Sequence, residues 1–168
     1  IITGTSSSSD TYYNGINPSD VNLQNIDNDV ATVIVNQTSG LSTYEAGTPT
    51  ATFNIRLASQ PSADVSLTLS SSNIAEGTVS PTSITFTSGN WNTNQTITVT
   101  GVDENIDDGD IVYTIVTSNT SSSDPLFNNL TVDDVLVTNV DNDVTGILVT
   151  PTSGLTTTEA GGQATFSI

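Results

Sequence analysis

The side chains in this chain that could do chemistry are nearly all carboxylates, and they are bunched. Asp103-Glu104-Asn105-Ile106-Asp107-Asp108-Gly109-Asp110 puts five carboxylates into eight residues, Asp141-Asn142-Asp143 sets two more around an amide, and Glu45 stands alone upstream. Against 18 Asp and Glu there is one basic residue, Arg56, for a net charge of −17. Two carboxylates roughly 5 Å apart repel by about 1–3 kcal/mol at effective dielectrics between protein surface and water. Unless solvent disperses that repulsion, the neutralising charge has to come from outside the sequence. Hard oxygen donors without His or Cys select calcium over zinc or copper. Calcium takes about six to eight oxygens from carboxylates, carbonyls and water, all of which such loops supply. The 103–110 run is not an EF-hand loop: its spacing differs, the distal Glu is missing, and strand-like sequence flanks it.

The same inventory excludes other chemistries. Without His, Cys or Lys the usual general bases and activated nucleophiles are missing, so the chain reads as non-catalytic. Paired carboxylates can hydrolyse a glycoside, but these are knotted together in a way that suits a metal. A polyanionic nucleic acid needs a basic footprint that is absent here. No stretch approaches 18 consecutive apolar residues, so no membrane insertion is expected. The lack of Cys removes disulfides, and the lack of Lys removes internal Lys–Asn isopeptide links. High Ser, Thr, Asn and Asp content without Cys points to an extracellular or cell-surface protein of a prokaryote.

These carboxylates must be positioned by strands. Period-2 alternation dominates, with Ala51, Phe53, Ile55 and Leu57 on one face and Thr52, Asn54 and Arg56 on the other. Strands are expected near 31–36, 50–58, 64–70, 83–87, 95–101, 110–117 and 133–140, with a short extra pairing at 77–79. The Ser-rich stretch 117–123 reads as the long loop before the last strand. About seven short strands broken by Gly, Pro, Ser and Asn indicate an all-β, immunoglobulin-like antiparallel β-sandwich. If the strands are lettered A to G and alternate in direction, the A–B, C–D and E–F loops and the end of G share one pole. That pole collects Glu45, Asn73, Glu76, the 103–110 run, Asp141 and Asp143. The opposite pole has Asp64, Asp124, Asp133 and Asp134. Trp91 is expected to cap the core, and Arg56 to pair with a carboxylate or a neighbouring chain.

The chain also repeats itself. Ile26-Asp27-Asn28-Asp29-Val30 returns as Val140-Asp141-Asn142-Asp143-Val144, an offset of 114 residues (Asp29 to Asp143). At the same offset Thr38-Ser39-Gly40-Leu41-Ser42-Thr43-Tyr44-Glu45-Ala46-Gly47 returns as Thr152-Ser153-Gly154-Leu155-Thr156-Thr157-Thr158-Glu159-Ala160-Gly161. A fixed period of this length indicates a tandem array. Residues 1–30 are expected to be the C-terminal part (strands F–G) of a preceding repeat. On this reading 31–143 is one complete sandwich, and 144–168 is the N-terminal part (strands A–B) of a following one. The junctions are only a residue or two long, which favours a stiff array. Tyr12-Tyr13 and Leu126-Phe127 occupy matching places and read as a recurring structural plug.

Tyr44-Glu45-Ala46-Gly47, the stretch from Ile97 to Asp110, and Val140-Asp141-Asn142-Asp143 together resemble a Calx-β-type or closely related cadherin-like repeat of large secreted bacterial surface proteins. The resemblance implies calcium held at repeat junctions between the A–B glutamate, the E–F acidic loop and the terminal acidic triplet. Carried over residue by residue, it makes Glu45, Asp103, Asp107, Asp108, Asp110, Asp141 and Asp143 ligand candidates, with Asp27, Asp29 and Glu159 at matching positions of the partial copies. Asn142 stands where the family often has a third Asp; its carbonyl can still ligate, with one charge fewer.

The expected function is structural: a repeat of an extracellular fibre, stalk or surface filament, stiffened by calcium and packed against neighbouring repeats of its own chain. An adhesin module gripping a glycan or surface ligand through its loops is the alternative. Lateral assembly of identical chains through Thr-rich edge strands is a third. Asn36, Asn94, Asn119 and Asn129 each begin an Asn-x-Ser/Thr triplet, a number that an Asn- and Thr-rich chain reaches by chance.

Overall fold

Alternating burial organises the larger of two units. The computed structural model describes all 168 residues, divided into Ile1–Val30 and Ala31–Ile168. In the second unit the strands are β1 (Val33–Val35), β2 (Leu41–Tyr44), β3 (Ala51–Leu57), β4 (Val65–Ser71) and β5 (Gly77–Ser80). They continue with β6 (Ser83–Phe86), β7 (Gln95–Gly101), β8 (Ile111–Thr117), β9 (Ser121–Ser122) and β10 (Val135–Val140). No helix is present. One sheet has the order β1-β3-β7-β5; the other runs β2-β10-β8-β4-β6, with β9 paired to β4. Every second residue of β3 is buried, as it is along β7 and the start of β10, so each sheet turns one apolar face inward. Phe53, Ile55, Leu57, Ile97 and Val99 from the first sheet meet Val65, Leu67, Phe86, Ile115, Val135 and Val137 from the second. The chain is therefore an all-β sandwich, as its alternation predicts. Trp91 packs on the margin of this core, and its carbonyl accepts from Leu57 N.

The main departure from expectation lies between β1 and β3. What reads as an A–B loop contains β2, which pairs in parallel with β10 in the register Leu41↔Val137 to Tyr44↔Val140. Its alternation is disguised because one of its two inward residues, Thr43, is polar. The chain thus moves from one sheet to the other within a single edge segment, so simple alternation of seven strand directions does not describe it. Smaller departures are at the ends. The last strand begins at Val135 rather than Asp133, because Asp134 Oδ1 instead accepts from Thr117 N at 2.7 Å. The expected loop 117–123 carries the two-residue β9. Residues 144–168 form only the isolated bridges Thr150↔Ser167 and Thr158↔Gly162.

Two loops 114 residues apart hold the same bonds. Ser6 N donates to Ile16 O at 2.8 Å, and Thr120 N to Leu130 O at 3.0 Å. Gly15 N reaches Ser6 O at 2.9 Å and Asn129 N reaches Thr120 O at 2.9 Å. Tyr12 N bonds Asp10 Oδ1 at 2.9 Å, and Leu126 N bonds Asp124 Oδ1 at 2.9 Å. Both loops turn through a positive φ, at Gly15 (81°) and Asn129 (61°). In the sandwich the loop plugs the core with Phe127, 2% exposed, whereas Tyr13 of the first unit is 64% exposed. Arg56 donates through Nη1 to the Leu57 carbonyl at 3.2 Å.

Candidate metal site at the acidic pole

Strand pairing alone assembles the acidic pole. Because β2 runs parallel to β10, the residue after each lies side by side, and Glu45 N donates to Val140 O at 3.2 Å. Because Gly77 pairs with Gly101, the start of β5 meets the end of β7, and Val102 N donates to Glu76 O at 3.0 Å. Because Ile111 pairs with Asn139, the loop before β8 lies against the end of β10, and Asp141 N donates to Asp110 Oδ1 at 3.1 Å. Two of these approaches need glycine. A Cβ on Gly101 would collide with Tyr44 O and Asn139 Oδ1, and one on Gly77 with the Tyr113 hydroxyl.

Carboxylate oxygens of Glu45, Asp141 and Asp143 lie within 4.8 Å of one another, as do those of Glu45, Glu104 and Asp108. Glu45 belongs to both groups and is only 2% exposed. Its Oε2 accepts from Asn142 N at 3.0 Å. That N–H lowers the Glu45 pKa, but burial and the Asp141 and Asp143 charges outweigh it and hold the carboxyl above its ordinary value. Burial, then the charges of Asp108, Glu76 and Glu45, raise Glu104 as well. Asp143 Oδ2 is buried and has no hydrogen-bond partner. A buried carboxylate oxygen with neither donor nor cation is costly to maintain, and an oxygen-rich cluster around one is the donor set that suits a hard divalent cation.

The other expected ligands at this pole brace its loops. Asp103 Oδ1 accepts from Asn142 Nδ2 at 3.1 Å, and Asp141 Oδ2 from Gly109 N at 2.8 Å. Asp107 Oδ2 accepts from both N and Oγ1 of Thr145, each at 2.6 Å, which lowers its pKa and ties the chain leaving β10 to the β7–β8 loop. Asp103, Asp107 and Asp110 therefore share the pole without joining either oxygen cluster. Asp27, Asp29 and Glu159 are exposed and join neither. Asp29 N does bond Asp27 Oδ1 at 3.0 Å, as Asp143 N bonds Asp141 Oδ1 at 2.7 Å. Glu104 lies outside the ligand set that the resemblance implies, and nothing in the acidic motifs marks Thr145 or Asn139. Glu104 sits in the acidic run, but nothing in the run distinguishes the carboxylates that turn inward from those that brace the loop.

No protein-family model and no curated protein sequence matches the chain. Among solved structures it is similar to WR4, a C. elegans MSP family member, at 12% identity and a TM-score of 0.39, over 66% of this chain and 97% of that one. It is also similar to domains 4 and 5 of the S-layer protein SbsC, at 22% identity and a TM-score of 0.37. That match takes in 68% of this chain and about half, 54%, of the other. At these scores neither likeness carries a functional inference.

Proposed function

We propose that this chain is a non-catalytic piece of an extracellular tandem-repeat protein, whose sandwiches are stiffened by calcium where one repeat leads into the next. The observation that carries the reading is the orphaned Asp143 Oδ2, buried among carboxylates in a chain with no Lys or His. Glu45, Asp141 and Asp143 would hold one ion; Glu104 and Asp108, sharing Glu45, would hold a second. Both positions lie where the chain leaves β10, and the Thr145–Asp107 bonds already fasten that exit. An ion there links the end of β2, the β7–β8 loop and the segment after β10, which fixes the direction in which the next repeat starts.

Residues 1–30 and 144–168 are then parts of flanking repeats, an assignment supported by the 114-residue offset and the matched bonds of the two loops. Those matched bonds, kept while the loop sequences differ, favour a packing role for the loops over a glycan grip. The test is titration calorimetry of the metal-free chain with calcium and with magnesium. The proposal expects calcium to bind with a stoichiometry of about two and magnesium far more weakly, since magnesium dehydrates reluctantly and demands a stricter octahedron. Equal, weak responses to both ions would refute it.

A further inference from the structure

Beneath the carboxylates lies a buried polar chain. On β10 the inward positions run Val135, Val137, Asn139, so an amide stands where the alternation calls for an apolar residue. Asn139 is 1% exposed, and every hydrogen-bonding group it has is used. Its Oδ1 accepts from Thr43 Oγ1 at 3.0 Å; its Nδ2 donates to Val102 O at 3.1 Å and to Glu76 Oε2 at 3.3 Å. Thr43 has one proton, and it goes to Asn139, so the Tyr113 hydroxyl is the donor in its 3.1 Å bond to Thr43 Oγ1. The bonds all run one way, from Tyr113 through Thr43 and Asn139 to Glu76. Flipping the amide would set its oxygen against two other acceptors, Glu76 Oε2 and Val102 O, so its orientation is determined.

The four anchor points are the roots of the acidic pole. Thr43 precedes Glu45 by two residues, Val102 directly precedes Asp103 and Glu104, Asn139 precedes Asp141 by two, and Glu76 is a further carboxylate, 6% exposed. Two of the four anchors, Asn139 and Thr43, have counterparts in the internal repeat. Asn25 matches Asn139, although Gln24 stands for Thr138 and Asn22 for Leu136. Thr157 matches Thr43, although Thr158 stands for Tyr44.

We propose that Asn139, locked by Thr43, is the positioning residue of the acidic pole: one buried amide that sets the spacing of the segments carrying Glu45, Glu104 and Asp141. It touches no ion. It fixes the carboxylate geometry before the ion arrives, so that little ordering is left for binding to do. The inference rests on the calcium reading of the site.

The experiment measures calcium dissociation constants by titration calorimetry, and unfolding temperatures with and without calcium. It uses the 168-residue chain and its Asn139→Leu, Thr43→Val and Thr43→Ser variants. Asn139→Leu should weaken calcium binding about 10–100-fold, the range for partners that orient metal ligands. Thr43→Val, which keeps the side chain's shape at a residue outside both carboxylate clusters, should weaken it several-fold, and Thr43→Ser, which keeps the hydroxyl, less than about twofold. If Asn139→Leu does not fold, the Thr43 pair decides. Unchanged dissociation constants in Thr43→Val and in any folded Asn139→Leu, with equal losses of unfolding temperature in the presence and absence of calcium, would overturn the proposal. A parent chain that binds no calcium overturns the reading of the site instead, before any variant is made.

Discussion

Replacing Asp143 by Asn should have opposite effects with and without calcium. Asp143 Oδ2 makes no hydrogen bond, so the substitution forfeits none there, and it removes one of five crowded negative charges. In calcium-free buffer the variant should therefore unfold at the parent's temperature or slightly above it. With calcium the balance reverses. Five carboxylates, those of Glu45, Glu104, Asp108, Asp141 and Asp143, face two divalent ions, leaving one net negative charge. At calcium about 100 times its dissociation constant, each ion that binds only the folded state adds about 2.7 kcal/mol. Each kcal/mol is worth about 4–8 °C for a domain of about 60–100 residues and about 2–4 °C for one of about 150–250; this sandwich lies between, so each occupied site should raise the parent's unfolding temperature by roughly 8–16 °C. If Asp143→Asn weakens that ion about 10–100-fold, the site's gain shrinks by about 1.3–2.3 kcal/mol, from half to most of it.

The assay is thermal unfolding of both proteins in calcium, in magnesium and in chelator. The two curves should cross between chelator and calcium. A variant that is less stable by the same amount in all three buffers would refute the reasoning, because Asp143 would then be a structural partner rather than an ion ligand.

Two further outcomes follow from the same geometry. The Glu45 and Glu104 pKa values are raised from 4.5 in the folded state, so the stability they contribute is complete below 4.5 and lost as pH rises through the folded values. The pKa values of Asp107 and Asp124 are lowered from 3.8, so their contribution is present above 3.8 and lost as pH falls through the folded values. Unfolding temperature against pH in calcium-free buffer should therefore peak near 4–4.5, and the calcium increment should shrink from neutral pH toward that peak; an increment independent of pH would contradict both. Separately, Gly101→Ala should cost about 1–3 kcal/mol, because the new methyl meets the Tyr44 carbonyl as well as Asn139. Gly89→Ala, whose nearest contact would be Thr87 Oγ1 at 3.8 Å, should cost less than about 0.5 kcal/mol in the same denaturation series.

Which parts of this were legible in the sequence depends on which force sets them. Alternation fixes the inward faces of β3, β4, β7 and β8, because burying Phe53, Leu67, Ile97 and Ile115 leaves each strand one way to face. It does not find β2, where inward Thr43 is chosen for its bond to Asn139 rather than for its hydrophobicity. The pole was legible because the directions of the long strands carry most of its loop ends there, although Glu45 arrives by the parallel β2 that alternation misses. The sorting of its carboxylates was not. Asp107 and Asp108 are adjacent, yet one braces Thr145 and the other faces Glu45 and Glu104, a difference set by backbone turns within the loop. Asn139 could have been found, since an amide at an inward position, repeated 114 residues away at Asn25, marks a polar group that the core must satisfy.

Crowding the carboxylates of both proposed cation sites at the exit of a sandwich would have a mechanical consequence. Without an ion, the segment after β10 is fastened to the β7–β8 loop by the bonds of Asp107 to Thr145 and of Asp141 to Gly109, while the nearby carboxylates push that same loop and the end of β2 away. The attractive contacts are a few hydrogen bonds at an exposed surface, each worth about 0.5–1.5 kcal/mol net. The repulsion is of comparable size and opposite sign. On the proposed reading, the joint would be nearly balanced without the ion. An ion converts the repulsive half into attraction and leaves the fastening bonds in place, so the change in stiffness exceeds what either contribution supplies alone. The buried chain from Tyr113 to Glu76 ties the roots of these loops together beneath the carboxylates, and on the proposed role of Asn139 it would confine the adjustment to the pole. On the proposed reading, such a sandwich would keep its core unchanged while its joint responds to the ion.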